Sequence, residues 1–197
     1  MLTPEEIQEN WEMFRDLSKK VGDYNDRLNL VEKMLDKYED RIVICPASMK
    51  TNYHCAYPGG LVEHTINVVK FSLQLKKLVD STIVQESLIM AALFHDLGKI
   101  GNENLDYYLD QQSNWHRERG NVYQVNEKLP YMPHAQRSLY LLQLNGISLT
   151  HDEFSSILIH DGQYLNENKA WALKEPVLAV ILHQADILSI KKEKGEL

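Results

Sequence analysis

Residues 85–101 read QESLIMAALFHDLGKIG. Every position from 88 to 94 is apolar, and a helix that is apolar all round is buried on every side. The stretch therefore predicts a buried helix over residues 85–97. Gly98 and Gly101 are predicted to end this helix, because glycine readily adopts the left-handed conformation that closes a helix. The rest of the chain is expected to enclose it.

Two polar residues, His95 and Asp96, lie at the end of this apolar run. A carboxylate is almost never buried without a partner, because an unpaired one costs several kcal/mol. His64 and Asp186 stand in two further apolar stretches, LVEHTI and AVILHQADIL. A divalent cation would satisfy all four side chains. Imidazole and carboxylate ligands together suit Mn, Fe, Co, Ni or Zn better than Ca.

The regions on both sides of the central stretch also predict helices, so the fold class is all-α. Residues 3–6, TPEE, supply an N-cap, a proline at the first helical position and a glutamate at the third. A second amphipathic helix follows within residues 1–44. The short apolar run at 42–46 ends in proline and predicts a buried extended link. Nothing in the sequence resembles a series of alternating strands.

The C-terminal half predicts three helices after a long polar segment. Residues 99–132 are expected to form an irregular loop, which is long for a compact domain and therefore a candidate for function. Pro133 begins the next helix, THDE at 150–153 forms a capping box, and Glu175-Pro176 opens the last helix. No repeat and no linker divides the 197 residues, so a single domain is predicted.

The composition is that of an ordinary globular protein, with 44% apolar and 25% charged residues. Two cysteines make no disulfide framework, and the first residues lack a secretory pattern, so a cytoplasmic location is expected. No apolar run reaches the length needed to cross a membrane. The net charge of −7 argues against general nucleic-acid binding but is compatible with a small anionic substrate.

Three motifs occur in an order that resembles the HD superfamily of metal-dependent phosphohydrolases. They are GGLVEHT at 59–65, LFHDLGK at 93–99 and HQAD at 183–186. The resemblance spans residues 45–190 and implies an HD-domain helical bundle, with residues 1–44 as N-terminal helices. It also implies a first metal ion on His64, His95, Asp96 and Asp186.

Two more histidines extend the resemblance. Many HD proteins carry two histidines between the His-Asp pair and the final aspartate, and these bind a second metal ion. His134 and His160 occupy that place in the order, so they are predicted to hold a second ion with Asp96 as the bridge. A one-metal enzyme, in which both histidines lie at the surface or contact substrate, is the alternative.

The remaining candidates concern the substrate. Lys99 follows the His-Asp pair, and we expect it to act with Asp96 in catalysis by neutralising phosphate; a cation favoured by the helix dipole is the alternative. Side chains predicted to contact substrate are His54, Trp115, His116, Arg117, Arg119, Arg137 and Gln163.

The predicted function is hydrolysis of a phosphoester or phosphoanhydride bond in a small nucleotide, a monophosphate or a triphosphate, by metal-activated water. Two alternatives follow from the same resemblance: a 3′–5′ exonuclease and an HD-fold di-iron oxygenase. A metal-stabilised binding module is a further reading. Small stand-alone HD proteins are frequent in tailed phages, which would place the chain in a host cytoplasm. The sequence leaves a homo-oligomer open.

Overall fold

The structure is a computed structural model that describes residues 1–79 and 82–197. Its helices are α1 (Pro4–Ser18), α2 (Arg27–Ile44), α3 (Gly60–Val79), α4 (Gln85–Phe94), α5 (Asn114–Arg117), α6 (His134–Leu144), α7 (His151–Ile159) and α8 (Val177–Glu193). Short 3-10 helices lie at Leu97–Ile100, Gly162–Tyr164 and Asn166–Trp171. The predicted all-α class is confirmed. None of the described helices is long and apolar enough to cross a membrane.

Helix α4 lies at the centre of the bundle, as its sequence predicts. Every side chain from 88 to 94 is at most 2% exposed. Helices α3 and α7 pack against α4, and both also pack against α8. The apolar faces of four helices therefore meet around the residues that follow α4.

The end of α4 differs from the prediction. The helix ends at Phe94 rather than at residue 97, and the chain continues as a 3-10 helix that packs against α6. Gly98 permits this approach, since a Cβ atom there would lie 2.1 Å from the carbonyl oxygen of His134. The Gly98 amide donates a hydrogen bond to Ser138 Oγ at 2.7 Å. These contacts fix the helix end that carries His95 and Asp96.

The N-terminal helices match the prediction except at one junction. Thr3 and Glu6 form the predicted capping box of α1. The extended link predicted at 42–46 is wrong, because α2 continues to Ile44. Ile42 is buried on the apolar face of α2, so the helix gains from including it, and the backbone becomes extended at Cys45, immediately before Pro46.

The segment at 99–132 is more ordered than predicted. It contains α5 and an antiparallel hairpin of β1 (Tyr108–Asp110) and β2 (Tyr123–Val125), in which Tyr108 pairs with Val125. An isolated bridge joins Lys50 to Asn121. The hairpin depends on contacts with residues far away in the sequence, which local patterning does not reveal.

A buried ion pair connects the N-terminal helices to the rest of the bundle. Arg27 at the start of α2 donates two hydrogen bonds, of 3.0 and 2.9 Å, to the carboxylate of Glu153 in α7. The two side chains are 1% and 0% exposed. Tyr24 lies over the guanidinium at 3.7 Å, and its hydroxyl also contacts Glu153. The pair is therefore enclosed, and both carboxylate oxygens of Glu153 accept from Arg27, while Nε of Arg27 has no hydrogen-bond partner among the described residues.

Candidate metal centre

The predicted ligands converge at one place between the helices. They are His64 on α3, His95 and Asp96 after α4, His134 at the start of α6, His160 after α7 and Asp186 on α8. His64, His95 and His160 are at most 1% exposed, and Asp96 is 3% exposed. Each residue is held by a different packed element, apart from the adjacent pair, so the cluster is a product of the tertiary fold.

The carboxylate of Asp96 lies between two groups of histidines. Its Oδ2 atom is 3.4 Å from Nε2 of His95 and 3.8 Å from Nε2 of His64. Its Oδ1 atom is 3.3 Å from Nε2 of His134 and 3.6 Å from Nε2 of His160. Each oxygen therefore faces a separate set of nitrogen atoms, which is the arrangement expected of a bridging carboxylate.

The ring orientation of two histidines is fixed by their own helices. Nδ1 of His95 donates to the Ala92 carbonyl, and Nδ1 of His160 donates to the Ile157 carbonyl, each at 2.8 Å. A proton held on Nδ1 leaves the lone pair of a neutral imidazole on Nε2. Both lone pairs consequently point toward Asp96, as a metal ligand requires.

Several polar atoms in the cluster have no hydrogen-bond partner among the described residues. These buried atoms are Nε2 of His64, Nε2 of His95 and Oδ1 of Asp96. Asp186 Oδ1 lies only 3.0 Å from Nε2 of His64, yet no hydrogen bond forms between them. Two ligand atoms bound to one ion at about 2.1 Å are about 3.0–3.4 Å apart. The residues present therefore fit a divalent transition metal.

The pKa shifts of the cluster residues in the metal-free protein also favour a bound cation. Burial alone would raise the pKa of Asp96, but Lys99 and His95 hold it well below its usual range. Burial would lower the pKa of His64, yet the carboxylates of Asp186 and Glu193 raise it to about 10. Burial lowers the pKa of His134 to about 4. Ionised carboxylates thus face a protonated His64, whose proton a cation would displace, and a neutral His134, which is in the form that binds a metal ion.

Glu193, at the end of α8, is a residue that the sequence interpretation missed. Its two carboxylate oxygens lie 3.3 and 3.0 Å from Nδ1 of His64. Asn67 Nδ2 donates to the same carboxylate at 2.9 Å, and Lys192 Nζ donates to Asn67 Oδ1 at 3.2 Å. The network orients His64 so that Nε2 faces Asp186. The spacing of seven residues between Asp186 and Glu193, which puts both on one helix face, was the signal available in the sequence.

Replacing Glu193 by glutamine is expected to weaken binding of Mn²⁺ about 10- to 100-fold, because carboxylates that orient ligating histidines contribute that much to affinity. Equilibrium dialysis measures the change. Glu196→Gln is the matched control, since Glu196 pairs with Lys191 and Lys194. Equal dissociation constants for the Glu193 variant and the wild type would contradict the role given to Glu193.

Two of the predicted catalytic and substrate residues lie beside the cluster. Lys99 Nζ is 2.6 Å from Asp96 Oδ2, so the lysine touches the proposed bridge directly. The ring of His54 is centred 4.5 Å from the ring of His64, and its buried Nε2 has no hydrogen-bond partner among the described residues. Burial, then the nearby His64, lowers the pKa of His54 to about 3, which keeps it neutral.

The predicted residues of the 99–132 segment lie apart from the cluster. Arg119 stacks on Trp115 at 3.6 Å, Arg117 donates to the carbonyl of Gln111, and the ring of His116 packs against Trp115. Within the described part of the chain, their hydrogen bonds and ring contacts stay inside residues 111–121. Their contact with substrate stays a prediction.

Arg137 is held by backbone carbonyl groups. Its side chain is buried, and its guanidinium donates to the carbonyl oxygens of Gly98, Pro130 and Met132 at 3.3, 3.4 and 2.8 Å. These bonds connect the end of the 99–132 segment to Gly98, in the 3-10 helix after α4. The contact of Arg137 with substrate stays a prediction.

Gln163 lines a cavity of about 480 Å³ beside α8. Its amide donates to the carboxylate of Glu175. His183 also lines the cavity and donates from Nδ1 to the His160 carbonyl at 2.7 Å. The cavity thus adjoins the turn that carries His160, and the role of Gln163 in substrate binding stays a prediction.

Comparison with known proteins agrees with this geometry. The family model described as "HD domain" matches residues 61–190, so the chain belongs to the HD domain family. A curated relative, named dihydroneopterin 2′,3′-cyclic phosphate phosphodiesterase, from Methanocaldococcus jannaschii, is 38% identical over 58 residues. That match covers 27% of this chain and 22% of the relative. No solved structure matches at a significant level.

These findings confirm the predicted family and fold class. Because the shared segment spans only 22% of the relative, it does not define the activity or the substrate of this chain.

Proposed function

We propose that this protein is a metal-dependent phosphohydrolase that cleaves a phosphoester or phosphoanhydride bond of a small, nucleotide-like substrate. The observation that carries the proposal is the position of Asp96, with one oxygen facing His64 and His95 and the other facing His134 and His160. Paired cation sites of this kind serve phosphoryl transfer in many hydrolases. Because the curated relative is named as a cyclic phosphate phosphodiesterase, we include cyclic phosphodiesters among the substrates to be tested.

The chain's own residues supply position and charge. A divalent cation held by the cluster would lower the pKa of water and polarise a phosphoryl oxygen. His95 and His160, each fixed through Nδ1, present Nε2 without reorganisation. Burial opposes the charge on Lys99, but Asp96 raises the pKa of that lysine and keeps it protonated. Lys99 therefore places a permanent positive charge where a phosphate would approach.

The test is phosphate release, or ring opening, from a substrate panel with Mn²⁺ or Co²⁺. The panel contains nucleoside monophosphates, nucleoside triphosphates and 2′,3′-cyclic nucleotides. We expect turnover of at least one class, abolished by His160→Ala and retained in His151→Ala, because His151 is an exposed histidine outside the cluster. Complete inactivity across the panel, with metal bound, would contradict the proposal.

The two alternatives of the sequence interpretation have separate assays. Degradation of labelled single-stranded RNA or DNA from the 3′ end would identify an exonuclease. Oxygen consumption together with a mixed-valent iron signal would identify a di-iron oxygenase. We expect no nuclease activity from the protein loaded with Mn²⁺, and neither oxygen consumption nor a mixed-valent signal from the protein loaded with Fe²⁺.

A further inference from the structure

A second His-Asp dipeptide, His160-Asp161, lies in the same cluster as His95-Asp96, with the ring of His160 4.7 Å from the ring of His95. Asp161 Oδ2 lies 3.3 Å from Nε2 of His134, and Oδ1 lies 3.9 Å from Nε2 of His160. One ligand atom from each of these three residues falls within 4.8 Å of the others. The carboxylate therefore faces both histidines predicted for the second ion.

A buried acceptor independently points to a ligand at the same place. Oδ1 of Asp96 is buried and has no hydrogen-bond partner among the described residues. It lies 3.3 Å from Nε2 of His134 and 3.6 Å from Nε2 of His160. A buried carboxylate oxygen without a donor is costly, and an ion between Asp96 and Asp161 would satisfy it.

The backbone around Asp161 is held in place by contacts on both sides. Gly162 adopts a left-handed φ of +72°, and a Cβ atom there would lie 2.2 Å from the ring of His183. His183 Nδ1 donates to the His160 carbonyl at 2.7 Å, and Asn168 Nδ2 donates to the Gly162 carbonyl at 2.9 Å. The turn that carries Asp161 is thus fixed by α8 and by the 3-10 helix Asn166–Trp171.

We propose that Asp161 is a direct ligand of the second metal ion, which completes a set of His134, His160, Asp96 and Asp161. The proposal rests on the metal centre of the proposed function and deepens it. The first ion would have the corresponding set of His64, His95, Asp96 and Asp186. Each ion then has two imidazoles, one oxygen of the shared Asp96 and one carboxylate of its own. Because the donors match, the two sites are expected to prefer the same transition metal and to bind it with similar affinity.

The two sites differ in their access to solvent. The side chains of Asp161 and His134 are 30% and 26% exposed, whereas those of His64 and Asp186 are 0% and 13% exposed. The second site therefore lies at the open side of the cluster. An ion there depends on Asp161 for one of its two negative ligands, so the removal of that charge should affect this ion alone.

The experiment measures Mn²⁺ binding to the full chain by equilibrium dialysis, with electron paramagnetic resonance to detect an exchange-coupled pair. We expect two equivalents and a coupled signal in the wild type. Asp161→Asn is expected to retain one tight equivalent, to weaken the second by about 100-fold or more, and to lose the coupled signal; loss of a group that only orients a ligand already costs about 10- to 100-fold. Asp161→Glu, which restores a carboxylate, is expected to recover part of the second affinity.

Asp152→Asn is the control, because it removes the same charge from an exposed position in α7 whose partner is His151. Two equivalents with wild-type affinities in Asp161→Asn would overturn the proposal, and so would equal weakening of both ions. Thermal unfolding of each variant verifies the fold. The binding measurement uses no substrate, so its result is independent of the proposed function. If Asp161→Asn loses one ion while the wild type hydrolyses no phosphoester, the proposed function is refuted and the assignment of Asp161 stands.

Discussion

Replacement of Asp96 by alanine is expected to abolish the binding of both metal ions and to lower turnover by at least about a thousandfold. Both oxygens of Asp96 face Nε2 atoms of the cluster at 3.3–3.8 Å, so a single substitution removes a ligand from each site. It also leaves Lys99 without the carboxylate at 2.6 Å that balances its charge. Among the residues that the structure describes, no other carboxylate of the cluster has oxygen atoms within 4 Å of nitrogen atoms in both groups of histidines.

Metal content by elemental analysis and turnover of the best substrate in the panel measure this effect. Asp40→Ala, an exposed substitution on α2, serves as the control and should match the wild type in both. The thermal unfolding of the metal-free proteins separates loss of ligand from loss of fold. Wild-type turnover by Asp96→Ala would refute the assignment of the site.

Replacement of Glu153 by alanine is expected to destabilise the fold by about 3–5 kcal/mol. The substitution leaves the guanidinium of Arg27 buried without its carboxylate, and a buried charge without a partner is far more costly than the pair. It also removes the carboxylate that accepts from the Thr150 amide in the capping box of α7. For a chain of this size, such a loss lowers the melting temperature by roughly 10 °C.

Urea unfolding of the metal-free protein provides the free energy. Asp152→Ala, at the neighbouring exposed position, should change it by less than about 0.5 kcal/mol. The double variant Arg27→Met with Glu153→Leu should recover part of the loss, because neither charge is then buried alone. A loss below about 1 kcal/mol in Glu153→Ala would show that the pair is not the link between α2 and α7 that its contacts indicate.

The predicted metal ligands that stand out most clearly in the sequence have one property in common. A charged or imidazole side chain in an otherwise apolar helix is a local anomaly, and His64, Asp96 and Asp186 are all anomalies of this kind. The structure brings these residues together, and it places His134 and His160 beside Asp96. Their order along the chain, rather than any single motif, therefore contained the information about the cluster.

The residues that were not predicted do not differ in this way from their neighbours in the sequence. Glu193 stands among lysines and glutamates, and Asp161 precedes a glycine and a glutamine, so neither carboxylate looks misplaced in the sequence. The sequence did not predict the bonds of Arg137 to carbonyl oxygens, because an arginine that binds carbonyl oxygens has the same local pattern as one that binds phosphate. The hairpin at 108–125 depends on residues near Lys50, a contact between distant parts of the chain.

The most direct test of the central claim, that this cluster binds two metal ions bridged by Asp96, is an anomalous difference map from crystals grown with Mn²⁺. We expect two peaks about 3.5–4 Å apart. One should lie beside His64, His95 and Asp186 and the other beside His134 and His160, with the carboxylate of Asp96 between them. A map with no peak among these residues, or with only one peak, would contradict the account.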